Sequence, residues 1–245
     1  MRIWAIADLH LSLGVPNKTM DLFGPEWTNH AQKIAQTWDE KITTGDLVLV
    51  PGDISWAMRL DEARPDLEWL EERPGTKVLI RGNHDYWWGS KNKVKKALPP
   101  SIHIIQNDSI VINGIGITGT RLWDSPEYDF NEVIDFKPSK APPKPYSEKD
   151  REIFTRELKR LEMGLKTLSS NTNLRIAMTH FPPIGLDLSP SACSQLLEHY
   201  GISFCLFGHL HSLKQTHLFG TARGIKYELV SCDYLNFAPL LITNY

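Results

Sequence analysis

Lys77-Val78-Leu79-Ile80-Arg81-Gly82-Asn83-His84-Asp85 is an apolar run that stops at a glycine and then presents three polar side chains. A short apolar run ended by glycine reads as a buried strand. The same shape recurs along the chain. Ile3 to Ala7 precedes Asp8-Leu9-His10, and Leu47-Val48-Leu49-Val50 precedes Pro51-Gly52-Asp53. Leu174 to Thr179 precedes His180, and Ile202 to Phe207 precedes Gly208-His209-Leu210-His211. Strands that are apolar throughout are buried on both faces, as in parallel sheets covered by helices. In such sheets ligands bind beyond the carboxyl ends of the strands, so these polar residues can converge from distant parts of the chain.

Between the strands the apolar period is helical. Thr28 is placed as the cap of a helix to about Lys41, with Ala31, Ile34, Ala35 and Trp38 on one face. Asp61 caps a helix through Leu70, where Pro65 is tolerated only in the first turn. Ser147 and Asp150 fit a capping-box start for a helix to about Leu168, and residues 190–200 form another. Residues 102–105, 109–112 and 115–118 read as short strands, the last two joined by the hairpin signal Asn113-Gly114. Residues 226–231 and 240–243 read as closing strands. The stretch 124–146, with Pro138, Pro142, Pro143 and Pro145, reads as an irregular excursion with room for one helical turn. The expectation is one α/β domain over residues 1–245, its sheets partly mixed or antiparallel.

Composition narrows the function classes. The hydrophobic share is 41% and the charged share 23%, ordinary globular values. The formal net charge of −2 gives no electrostatic footprint for nucleic acid and no polybasic membrane patch. Cys193, Cys205 and Cys232 are odd in number and form no C-x-x-C pair, which argues against a disulfide framework or zinc ribbon and fits a reducing cytoplasm. The opening apolar run is too short for a signal peptide, and no run is long enough to span a membrane.

The strand-end residues are Asp, Asn and His, with no thiolate. That donor set suits manganese, with iron or zinc as alternatives. Asp53 can offer one oxygen to each of two cations, and paired cations suit in-line displacement at phosphorus. Gly52, Gly82 and Gly208 each stand beside a proposed ligand, where glycine permits a sharp turn and close backbone approach. His84 is left free to assist the leaving oxygen, with Asp85 as the carboxylate that orients it.

The ordered set D-x-H, GD, G-N-H-D, H and G-H-x-H resembles the calcineurin-like metallophosphoesterase superfamily over Asp8 to His211. The resemblance implies a four-layer α/β/β/α sandwich with two central mixed sheets. It implies one metal held by Asp8, His10, Asp53 and His211, and a second held by Asp53, Asn83, His180 and His209. It also implies His84 as the leaving-group acid. Arg81 precedes the G-N-H block as in the protein Ser/Thr phosphatases, which makes it a candidate phosphate contact. The G-D-x-x-D-R-G of those phosphatases is absent, since Gly52-Asp53 runs on into Ile54-Ser55-Trp56-Ala57-Met58.

The expected function is hydrolysis of a phosphate mono- or diester of unidentified identity by attack of a metal-bound hydroxide. The alternatives are a protein Ser/Thr phosphatase, a cyclic nucleotide phosphodiesterase, or a metal-binding scaffold without catalysis. Trp56, Tyr86, Trp87, Trp88 and Trp123 either wall a substrate pocket or pack loops over the sheet edges, with packing preferred. The loop 11–27 and the excursion 124–146 are candidate substrate-selecting rims. His30, His103, His199 and His217 are read as core or surface residues.

Overall fold

The structure is a computed structural model that describes residues 1–135, 145–215 and 217–245. Two sheets carry the chain. The first holds β1 (Arg2–Ala5), β2 (Leu47–Val50), β3 (Thr76–Leu79), β4 (Ile102–Ile104) and the late strand β11 (Leu240–Asn244). Its order is β11-β1-β2-β3-β4, parallel except where β11 pairs antiparallel with β1. The second holds β5 (Ser109–Ile112), β6 (Ile115–Thr120), β7 (Leu174–Thr179), β8 (Phe204–Phe207), β9 (Thr221–Ala222) and β10 (Ile225–Leu229). Its order is β5-β6-β7-β8-β10-β9, with parallel pairing from β6 to β10 and antiparallel strands at both edges.

Alternation along each strand feeds two different cores. Ile3, Ala5, Leu47, Leu49 and Val78 meet Ile115, Ile117, Ile176, Met178 and Leu206 between the sheets. The opposite face of the first sheet, with Trp4, Val48 and Val50, lies under α1 (His30–Lys41) and α2 (Leu60–Glu72) through Ile34, Trp38, Leu67 and Leu70. The outer face of the second, with Ala177, Cys205 and Phe207, lies under α4 (Glu148–Lys166) and α5 (Ala192–His199) through Phe154, Leu161, Leu165, Cys193 and Leu197. The layers are therefore helix, sheet, sheet, helix, which is why β2 is apolar throughout and β1 and β3 carry polar residues only in their first halves, Arg2, Thr76 and Lys77. All three cysteines are buried and free.

Several local expectations hold in register. Asn113 and Gly114 both take positive φ (48° and 81°), closing the β5–β6 hairpin with Ile112 opposite Ile115. Ser147 and Asp150 form a reciprocal capping box on α4. Others are corrected. Thr28 closes the short 3-10 turn Pro25–Trp27, and Asn29 (φ 55°) precedes α1, since Asn tolerates the left-handed region better than a β-branched residue. Pro65 sits beyond the first turn of α2. The helix starts before Asp61, at Leu60, because the Glu62 carboxylate accepts the amides of Met58 and Arg59 at 3.0 and 3.2 Å. Helix α3 (Lys91–Ala97) was not foreseen; Val94 is its single buried anchor. Of the expected excursion, residues 136–144 lie outside the described residues, and the described remainder is loop with one bridge, Ile134 to Leu213. Among the described residues no helix is long and apolar enough to cross a membrane.

Asp66 of α2 fixes the start of the loop after His10. It is fully buried, accepts the Leu13 amide at 2.8 Å and takes the Ser55 hydroxyl on its other oxygen. Burial pushes its carboxyl up to about 6 from 3.8, against those two donors. An acid raised on folding holds more protons folded than unfolded between those values. Its contribution to stability is therefore full below the unfolded pKa and is lost as pH rises through about 6. The Asp66→Asn variant is expected to flatten that part of the stability profile by about 1–3 kcal/mol between pH 4 and 7. Urea unfolding at both pH values checks this; parallel profiles for the two proteins would contradict it.

Candidate metal centre

The carboxyl ends of β1, β2 and β3 meet those of β7, β8 and β10 at one edge. The two sheets are stitched there: Ala7 donates to Val230 O at 2.7 Å and accepts from Cys232 N at 3.0 Å. The loops leaving these strands turn sharply. Asp8, His10, Asp53 and His209 have φ of 60°, 44°, 53° and 73°. Left-handed conformations cost a non-glycine residue about 1–3 kcal/mol each and concentrate at functional sites. Here they aim four polar side chains into one space. Gly52 (φ 94°) and Gly82 make the crossing possible, since a Cβ on Gly52 would lie 2.8 Å from Gly82 Cα and one on Gly82 would strike the Asp53 carboxylate.

Seven side chains converge. Asp53 Oδ2 lies 3.8 Å from His10 Nε2 and 3.4 Å from His180 Nε2. Asp8 Oδ1 lies 3.7 Å from His211 Nε2 and 3.8 Å from His180 Nδ1. Asn83 Oδ1 faces His180 Nε2 at 2.6 Å and His209 Nδ1 at 3.1 Å. Two triads, Asp8-His10-His211 and Asp8-Asp53-His180, bring their donor atoms within 4.8 Å of one another. Asp8, His10, Asp53 and His180 are all buried.

Electrostatics explains how such a cluster survives. Burial drives His10 down to about 3, and burial with neighbouring His180 drives His209 down as well. Burial also opposes charge on His180 and His211, yet Asp53 and Asp8 around the first, and Asp233 and Asp8 around the second, hold both up at about 9. Burial pushes Asp8 up to about 6, while His180, His10 and His84 hold Asp53 below the usual carboxylate range despite its own burial. Protons on His180 and His211 thus neutralise buried carboxylates. Divalent cations at the same place would displace those protons and supply the charge. The donor set fits that role: it is oxygen and imidazole nitrogen throughout, and His10 Nδ1 is buried with no hydrogen-bond partner among the described residues.

Supporting contacts include one that the sequence reading missed. Asp233, beyond the end of β10, accepts from His211 Nδ1 at 2.9 Å and from the Ser212 amide at 3.1 Å, fixing that ring as a carboxylate fixes a metal-ligating histidine. Its signal was its position: it too follows an apolar strand, after Ser231-Cys232. His180 Nδ1 lies 3.0 Å from Pro51 O. His30, at the head of α1, lies 3.1 Å from Leu9 O and is structural.

Two expectations are corrected. Asp85 does not orient His84. Its carboxylate is spent on the amides of Asp53, Gly82, Ile54 and Ser55 and on Trp87 Nε1, at 2.8–3.1 Å. It ties the β2 loop to the β3 loop. Arg81 does not line the cavity over the cluster; beyond the end of β3 it lines a separate cavity with Arg121 and Glu157. The tryptophans divide. Trp87 and Trp88 are core, and Trp123 packs on Phe181 with ring centres 4.9 Å apart, while Tyr86 is exposed. Trp56 walls the site, stacked on His10 at 5.0 Å. With Met20, Phe23 and Trp27 from the loop 11–27 it encloses a cavity of about 180 Å³ that also exposes Asp53, His84, His209 and His211.

The family model described as calcineurin-like phosphoesterase matches residues 1–213. The chain belongs to the calcineurin-like phosphoesterase family. Gene 66 protein of Mycobacterium phage D29 is 38% identical to this phosphoesterase-family chain over 86 residues, which is 34% of this chain and 40% of that protein. Gene 66 protein of Mycobacterium phage L5 is 32% identical over 84 residues, 34% of this chain and 39% of that protein. The chain thus spans about two fifths of the length of these curated relatives. Phosphopantetheinyl hydrolase (PptH) from Mycobacterium tuberculosis has a similar structure, with a TM-score of 0.52 at 18% identity over 94% of this chain and 88% of that one. At that identity the likeness is one of fold, and the fold is the metallophosphoesterase sandwich.

Proposed function

We propose that the protein is a dinuclear metal-dependent phosphohydrolase acting on a phosphate mono- or diester. The observation that carries the reading is Asp53 Oδ2, which lies within 3.8 Å of His10 Nε2 and 3.4 Å of His180 Nε2 and so stands between two groups of donors. In this reading Asp8, His10, Asp53 and His211 hold one cation and Asp53, Asn83, His180 and His209 the other, manganese being the first choice for an oxygen- and nitrogen-donor site. When bound, such cations polarise a phosphoryl oxygen and acidify water.

The remaining residues position and protect. His84, half-buried beside the cavity, turns toward Asp53 and Trp56, its ring centre 4.5 Å from that of Trp56. Burial lowers its pKa, so near neutrality the ring is neutral and offers an N–H to the leaving oxygen; Asp53 opposes that shift, and an approaching phosphate dianion opposes it further. Trp27 and Trp56 keep one wall dry, which strengthens each charge interaction inside. The His84→Asn variant is expected to lose about 10²–10⁴-fold in turnover of p-nitrophenyl phosphate or bis-p-nitrophenyl phosphate. Its metal content by elemental analysis should stay at the wild-type level. Undiminished turnover would remove His84 from the mechanism. The better of the two esters sets the substrate class.

A further inference from the structure

The cavity that receives Arg81 is lined by three guanidiniums and one carboxylate. Arg81 follows β3, Arg121 follows β6, and Arg160 and Glu157 come from α4, with Thr120 and Gln106 completing the wall. Glu157 is buried and engaged on both oxygens: Thr120 Oγ1 donates to one at 2.8 Å and Arg160 Nη1 to the other at 2.6 Å. Arg121 Nη2 stands 3.7 Å from the same carboxylate and its guanidinium lies over the Trp123 ring at 4.6 Å. Arg156 adds a further cation at 3.7 Å from Glu157. Arg81 has no ion pair or hydrogen bond among the described residues, and its Nε is buried without a partner.

An arginine cluster with more cations than anions, one of them unpartnered, is a poor structural device. Like charges repel, and a buried donor left unpaired carries the full cost of its desolvation. The cluster is explained if something anionic completes it. Guanidinium forks match tetrahedral oxyanions through paired N–H bonds. The cavity holds about 60 Å³, a space for one small anion and not for a nucleoside. Burial lowers the Arg121 guanidinium although Glu157 opposes the shift, and Arg81, Arg156 and Arg160 add to the lowering.

We propose that Arg81, Arg121 and Arg160 form a second site, apart from the metal centre, that binds a phosphate- or sulfate-type oxyanion. The backbone links it to that centre: Arg81 is two residues from Asn83, and the Arg121 carbonyl accepts the amides of His180 and Phe181 at 3.1 and 2.9 Å. The anion is either the second phosphoryl group of a substrate or a free oxyanion.

Calorimetric titration of inorganic phosphate into the metal-loaded protein tests this. Two binding events are expected, and one should survive in Asp53→Asn, which disables the metal centre alone. Failure of the hydrolase reading therefore leaves this site measurable. The surviving event should weaken about tenfold or more in Arg81→Gln, where only an unpartnered cation is removed. It should tighten several-fold in Glu157→Gln, which keeps one acceptor oxygen for Arg160 and offers an amide N–H to the Thr120 hydroxyl in place of the other, while deleting the opposing charge. These opposite signs are not produced by a merely structural cluster. Unaltered binding in both variants, or a single event confined to the metal centre, overturns the proposal.

Pyrophosphate separates the sources, in an arm that rests on the hydrolase reading. If the anion is substrate-borne, its inhibition of p-nitrophenyl phosphate turnover weakens in Arg81→Gln by the factor seen for phosphate binding. If it is a free oxyanion, inhibition is unchanged while the surviving phosphate event is still lost. Both results keep the site.

Discussion

The Asp53→Asn variant is expected to lose turnover by more than about 10³-fold, beyond the 10–100-fold usual for changes outside the immediate ligand set, and to lose affinity for both cations together. The substitution keeps shape and volume. It also keeps Oδ1, which accepts the His84 amide at 2.8 Å, so the loop geometry survives. What disappears is the charge that His180, His10 and His84 hold in place, and with it the oxygen standing between His10 and His180. Loss of both metals from one substitution is the signature of a shared ligand; a variant on one outer ligand, such as His209→Ala, should lose one. Elemental analysis beside turnover reads the difference. An Asn variant that keeps both metals at wild-type affinity would mean that Asp53 is not shared.

Removing the Asp85 carboxylate should cost more stability than any other single change near the site. Asp85→Ala strands four buried amides and the Trp87 indole N–H at once. Each unsatisfied donor costs about 1–3 kcal/mol, and such losses overlap, so a net destabilisation of about 4 kcal/mol or more is expected. Against a total of about 5–15 kcal/mol for an ordinary domain, that leaves the variant marginal. Burial and the neighbouring Asp53 push the Asp85 carboxyl up to about 6, while the amides and the indole pull it down. Urea unfolding of metal-free protein measures the effect without contributions from ligand binding. A change under about 1 kcal/mol would mean that the β2 and β3 loops are held by something else.

Much of this was legible from residues alone, for a physical reason. Strands buried on both faces leave runs such as Leu47 to Val50, and the first polar residue after each run marks the sheet edge. Asp8, Asp53, Asn83, His180 and His209 followed from that rule plus the chemistry of Asp, Asn and His, while the roles of His10 and His211 came from the resemblance to the phosphoesterase motifs. What was missed has equally physical causes. Helix α3 carries one buried side chain, so it has no apolar period to read. Asp85 sits next to His84 in sequence, but the chain turns between them, and its side chain points to the amides of the neighbouring loop. Arg81 lies past the end of β3, in the turn into Gly82, and that turn sets its direction; strand alternation alone would have put it on the face of Asn83. Asp233 lay outside every motif, and its contact with His211 depends on tertiary packing of β10 against β8.

The measurement that tests the central claim most directly is titration of manganese into metal-stripped protein, with bound metal and hydrolysis of both p-nitrophenyl esters followed together. The account predicts negligible turnover without metal, turnover of at least one ester that saturates as the second equivalent binds, and neither in Asp53→Asn. Two equivalents bound at the wild-type cluster with no turnover of either ester, or turnover indifferent to metal, would contradict it.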